Sequence, residues 1–193
     1  MQPETRSLEN CMSFPAAPLD GYAARITTGL AYVGGLLALP LLFAYLANLR
    51  WAALAIPSLV ALPLAVFLLL TYAQQPVEYR IDDDALVVRR RRWPALRVPL
   101  AEISGASLAP ALADVPRRGL RLAFNPGIFG YQGPFQLDQL GRGFFLATNR
   151  ERLVAIGRRT AVSLIISPES PRAFVEALND RRAQNATEEL VGA

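Results

Sequence analysis

Residues 77–100 read VEYRIDDDALVVRRRRWPALRVPL. Val77, Tyr79 and Ile81 alternate with Glu78 and Arg80, Asp82-Asp83-Asp84 supplies a turn, and Leu86 and Val88 resume the alternation. Side chains of a strand point to opposite faces in turn, so period two marks strands with one face in a core. Trp93-Pro94 breaks the second segment, after which Leu96, Val98 and Leu100 alternate with Arg97. The spacing predicts an antiparallel meander and hence a mainly β domain.

Downstream, Ile103 is a predicted core anchor, and 109–116, with Pro110 and Pro116, reads as a loop. Leu120, Leu122 and Phe124 predict another strand, and residues 144–148, 153–156 and 161–166 three more. Between them NPGIFGYQGPFQLDQLGRG, 125–143, is either a functional loop or an excursion carrying a short strand. Ser167-Pro168-Glu169-Ser170-Pro171 then leads into a helix at 172–178 that puts Ala173, Phe174, Ala177 and Leu178 on one face. Ser167 or Ser170 suits the cap and Pro171 the first turn. Residues 181–193 read as a disordered polar tail.

Upstream, two apolar runs at 26–47 and 52–72 are separated by Arg50, the only charge between Arg25 and Glu78. Each is close to the roughly 20 residues that a hydrocarbon core demands of a helix, so they predict a two-helix transmembrane hairpin. A cleaved leader is rejected because the first run is too long and its polar lead carries mixed charge. Arg6 and Arg25 before the first run, and Arg80 with Arg89 to Arg92 after the second, outnumber Arg50 between them. That bias predicts a multi-pass protein of the cell (inner) membrane with both termini cytoplasmic and residues 1–25 a flexible tail. Neither run holds an Asp, Glu, Arg or Lys to carry ions or protons, so Gly34, Gly35 and Ala38 read as packing surface.

About seven antiparallel strands in a partly open barrel, closed by one C-terminal helix, is an order that resembles the membrane-anchored bacterial PH-like (pleckstrin homology-like) domains. The resemblance covers about 76–178, in a domain expected at 76–180. It is carried by Tyr79-x-Ile81 with the acidic turn and Leu86, Pro99-x-x-x-Ile103, the 130–135 region, Leu140-Gly141 with Phe144, Phe145, Ala147 and Thr148, and the ending Ile166-Ser167-Pro168 with Phe174-x-x-x-Leu178. It implies an interaction module without catalytic residues. In lipid-binding PH domains the loop between the first two strands of the domain is basic; here it is Asp82-Asp83-Asp84, which would repel a phosphoinositide head group.

Composition narrows the chemistry further. All 20 basic residues are Arg and His is absent, which removes an imidazole base and the commonest nitrogen metal ligand. Cys11 is the single cysteine, so an intrachain disulfide is impossible. No phosphate-binding or dinucleotide glycine fingerprint occurs, and adjacent Asp residues in a turn diverge too far for a cation cage. No enzyme, metal or cofactor is expected.

The net charge of +4 is read as membrane proximity rather than nucleic-acid binding. Candidate contact residues are Arg89, Arg90, Arg91, Arg92 and Arg97 with the loop aromatics Phe129 and Tyr131. The expected partners are the lipid bilayer and a membrane or cytoplasmic protein, with a homo-oligomer as a further option. The function that follows is a protein-interaction or regulatory adaptor; the alternative is an anionic-lipid-binding or lipid-sensing module.

Overall fold

The computed structural model describes residues 11–47, 51–114, 120–121, 127–137 and 141–191. The first ten residues of the expected tail, the connector 48–50, residues 115–119, most of the expected strand at 120–124, and 125–126 and 138–140 of the glycine-rich stretch lie outside them.

Two sheets face one another across the main core. The first has the order β1-β2-β3-β4, from Met12–Pro15, Pro76–Ile81, Ala85–Arg90 and Leu96–Pro99. The second has the order β5-β9-β10-β8-β7-β6, from Ile103–Leu108 (β5), Leu120–Arg121 (β6), Tyr131–Leu137 (β7), Gly141–Ala147 (β8), Val154–Arg158 (β9) and Ser163–Ile166 (β10). The meander read from 77–100 is β2-β3-β4, with Tyr79 opposite Val88 and Leu86 opposite Val98. Tyr79, Ile81, Leu86, Val88 and Val98 turn inward to meet Leu146, Val154, Ile156, Leu164 and Ile166. The helix α3, Pro171–Val191, closes this core with Phe174 and Leu178.

The second sheet is buried on both faces. Leu146, Leu164 and Ile166 face the main core, whereas Phe145, Ala147 and Ile165 face a second cluster with Tyr131, Phe135, Leu112 and Ala23. Double burial explains why 144–147 and 164–166 are continuous apolar runs. It also accommodates a departure from the all-antiparallel expectation: β10 runs parallel to β8, Leu164 opposite Phe144 and Ile166 opposite Leu146.

The two apolar runs are helical, as α1, Gly21–Leu46, and α2, Trp51–Gln74. Among the described residues, however, no helix is long and apolar enough to cross a membrane. This corrects the two-span transmembrane hairpin, and with it the multi-pass inner-membrane placement and the membrane anchoring implied by the resemblance. A count along the chain treats every apolar residue alike, whereas the structure uses the start of α1 and the end of α2 to pack against the second sheet. Ala23, Thr27 and Thr71 are buried there, and Phe129 N donates to Thr27 Oγ1 at 2.9 Å.

Two other segments differ from the sequence reading. Residues 12–15, expected in a tail, form β1 on the outer edge of β2, where Phe14 packs edge-on against Phe174 at 5.3 Å. Residues 181–191, expected to be disordered, continue α3. Arg181 pairs with Asp83 at 3.2 Å, and Arg182 donates to the Ser104 carbonyl, so the polar end of the helix is held by the sheets.

Candidate interaction site

The residues singled out in the sequence separate into three places. Arg97 belongs to the acidic turn: it donates to both Asp84 carboxylate oxygens at 2.7 and 2.9 Å, while Arg80 pairs with Asp82 at 2.7 Å and Arg181 with Asp83. Each Asp therefore has its own arginine, and among the described residues no cluster of acidic or sulfur ligands could hold a metal ion. Tyr131 is buried in the second cluster, where its hydroxyl donates to Asp20 Oδ2 at 2.9 Å. Burial and the Asp20 charge raise its pKa. Both side chains are engaged within the chain.

The remaining five residues gather at the foot of the helix pair. Arg89, on the outer face of the first sheet, pairs with Glu78 at 2.6 Å, and Glu78 also accepts from Ser13. The Ser13 hydrogen bond and then Arg89 hold the Glu78 carboxyl below its ordinary range. Arg91 lies over the Tyr72 ring, its guanidinium carbon 4.6 Å from the centroid, and donates to the Tyr72 hydroxyl at 3.1 Å. Phe129 meets the same ring edge-on at 5.2 Å. Tyr72 thus joins the arginine run to the glycine-rich turn, a link that distance along the chain conceals.

Local backbone geometry places each part. Phe129 has φ of 54°, between Gly127 at 109° and Gly130 at 116°, so the turn uses left-handed positions that glycine supplies cheaply. The bend after β3 turns the Arg91 and Arg92 amides toward α2, where they donate to the Gln75 and Ala73 carbonyls at 2.9 Å each. Those bonds satisfy carbonyls that every helix end leaves open, and positive charge is favourable beside them.

Arg90 and Arg92 remain. The Arg90 Nε is buried and has no hydrogen-bond partner among the described residues, and burial lowers its pKa. The Arg92 side chain is exposed beside Trp93, which is 41 % exposed.

Reasoning on the sequence missed Asp20, Arg150 and Tyr72. Asp20 is 4 % exposed and caps α1, accepting from the Tyr22 and Ala23 amides at 3.0 and 2.8 Å. It also accepts from Arg150 N at 3.1 Å. An Asp directly before a long apolar run is a recognisable cap signal. Arg150 and Tyr72 carry no comparable local signal, because their partners are distant in sequence.

Beyond the foot, the helix pair presents Tyr32, Leu36, Phe43, Leu59, Leu62 and Leu69 to the outside. A groove of about 560 Å³ runs between the helices, with Gly34, Gly35, Ala61 and Leu68 among its walls.

Two facing sheets, a C-terminal helix across the core, and basic and apolar surfaces define the class: a pleckstrin-homology-like interaction module. Residues 77–182, more than half of the chain, match the Bacterial PH domain family, and the chain belongs to it. No curated protein matches the chain. PH domains generally are non-catalytic and bind lipids or proteins, so the matched region is a protein or lipid interaction module. The helix pair and β1 precede the matched region and are additions to it.

Proposed function

We propose that the chain is a non-catalytic adaptor or regulator whose helix pair carries the main docking surface for a partner protein, held at a set angle by the PH domain. The observation that supports it is the combination of an apolar outer surface with a tightly tied foot. Large exposed side chains on both helices exceed what an isolated domain keeps in water and call for a covering surface. At the foot, Thr27 with Phe129, Gln132 with the Thr71 carbonyl at 3.4 Å, and Arg91 with Tyr72 join both helices to the domain. A partner bound to the helices therefore senses the domain, and a ligand of the domain senses the partner.

A photocrosslinking amino acid at Leu62 or Leu69 of the full chain, expressed in its native cell, tests this. One and the same protein captured from both positions, and lost when Leu36 and Leu59 are changed to Ser, is the expected result. Crosslinks to lipid only, or only to a second copy of the chain, would overturn the adaptor reading.

A further inference from the structure

We propose that Arg90 and Arg92 form an anion subsite that takes a phosphate group, at the foot of the helix pair where β3 leaves the first sheet. It stands independently of the partner-protein reading.

The four consecutive arginines meet different fates, and among the described residues two of them are consumed. Arg89 is neutralised by Glu78, and Arg91 is stacked on Tyr72. Arg90 follows a register irregularity: Arg89 stands opposite Glu78, but Arg90 stands opposite Pro76, with Val77 bulged between. A bulge bends its strand and re-aims the side chains beside it. Pro76 offers no side-chain acceptor to Arg90. The result is a part-buried guanidinium whose Nε has no partner among the described residues. Buried donors are nearly always satisfied, so a buried orphan on a cation points to an anion or ordered group that completes it.

Charge accounting gives the chemistry of that group. With Arg89 paired to Glu78 and Arg91 stacked on Tyr72, the charges of Arg90 and Arg92 are left at the bend, and the C-terminal end of α2 contributes about half a negative charge. The surplus is about one and a half charges, more than one carboxylate balances and close to that of a phosphate. Guanidinium groups match phosphate oxygens with paired N–H donors, which two neighbouring arginines supply from two directions. Arg92 is the second arm: its amide is fixed on the Ala73 carbonyl, and its side chain makes no ion pair among the described residues. Capping of α2 alone explains Arg91 and the Arg92 amide but leaves the Arg90 side chain without a role. The Asp82 to Asp84 turn, where each carboxylate is already paired, lies at the other end of β3 and is not part of the subsite.

Phosphate could come from a soluble ion or from a lipid headgroup, and the test has an arm for each. In the full chain, the Arg Nε–Hε resonances are followed while inorganic phosphate is added. Flotation is measured in parallel with phosphatidylcholine vesicles with and without phosphatidylglycerol. The Arg90 and Arg92 resonances should shift on phosphate, and those of Arg89 and Arg97 should not. Arg92→Gln, an exposed change that leaves the packing intact, should weaken phosphate binding about tenfold or more. Arg89→Gln should leave it unchanged.

Flotation that needs phosphatidylglycerol and is competed by phosphate supports the subsite and assigns it to lipid. Phosphate shifts without that dependence support it and assign it to a soluble phosphate. If the Arg90 resonance does not respond and neither phosphate binding nor flotation changes in Arg92→Gln, the proposal is overturned.

Discussion

The Tyr131 hydroxyl donates to Asp20 at 2.9 Å, joining the glycine-rich turn to the residue that caps α1. A single carboxylate, 4 % exposed, thereby accepts from the first turn of α1, from β7, and from the Arg150 amide. The helix pair and the second sheet share one buried polar joint.

Removing that joint should cost more than an ordinary cap. Asp20→Ala leaves buried donors on Tyr131 and α1 unsatisfied, and should destabilise the chain by about 2–4 kcal/mol in chemical denaturation. Asp20→Asn keeps a capping oxygen and should cost less. Equal losses for the two would show that the joint rests on the charge of Asp20 and not on its capping oxygen.

Alkaline pH should loosen the fold through tyrosines. Burial pushes the Tyr79 hydroxyl up to about 12, and burial with the Asp20 charge raises Tyr131. Both therefore release their protons more readily in the unfolded chain, where an ordinary tyrosine titrates near about 10. Their contribution is complete below about pH 10 and is lost as pH rises toward the folded values. Thermal melts between neutral and strongly alkaline pH should show Tm falling from that point, and Tyr131→Phe should flatten the fall.

Arg90 and Arg91 should answer oppositely to truncation. Without phosphate, Arg90→Met removes a part-buried cation with an unsatisfied nitrogen and should leave stability unchanged or raise it by up to about 1 kcal/mol. Arg91→Ala strips the contact on Tyr72 and should lower stability by about 0.5–1 kcal/mol. Urea midpoints of the two variants measured side by side check this.

The turn that presents Phe129 has little tolerance. A Cβ on Gly130 would stand 2.7 Å from the Ala147 carbonyl oxygen, at a φ of 116°. Gly130→Ala should cost about 1–3 kcal/mol. Loss of the Phe129–Tyr72 contact should appear as faster hydrogen exchange at the end of α2.

The strand β1 should behave as part of the domain. Phe14→Ala, which removes the ring packed on Phe174, should destabilise by about 1–3 kcal/mol and speed amide exchange along β1 and the facing edge of β2. Normal exchange protection on β2 in this variant would show that the strand is dispensable.

Local alternation made β2, β3 and β4 legible, because one buried face imposes period two on neighbouring residues. β5, 103–108 ISGASL, carries small residues in the place of that pattern, and its pairing with β9 shows only in three dimensions. β1 was hidden for a related reason: Met12–Pro15 is too short and mixed to announce a strand, and the unpaired edge of β2 recruits it. α3 outran its apolar face because Arg181 and Arg182 are held by Asp83 and Ser104, partners far back in the chain. The four arginines were visible as a cluster, yet their division into one ion pair, one stacked ring and two cations without an ion pair among the described residues depends on the bulge beside Pro76 and on the end of α2.

By itself the sequence determined what near neighbours dictate: the β meander, the C-terminal helix, helical apolar runs, the PH-like order of elements, and a chain without histidine chemistry. Periodicity and composition are local properties and survive without a fold. The tertiary structure alone decided that the second sheet is buried on both faces and that Asp20 joins helix to sheet. It also decided that the acidic turn is neutralised residue by residue, and that Arg90 keeps a buried nitrogen without a partner among the described residues. These include contacts between residues 130 positions apart. They form because closing long loops is offset by burying the surfaces brought together, which no window of sequence records.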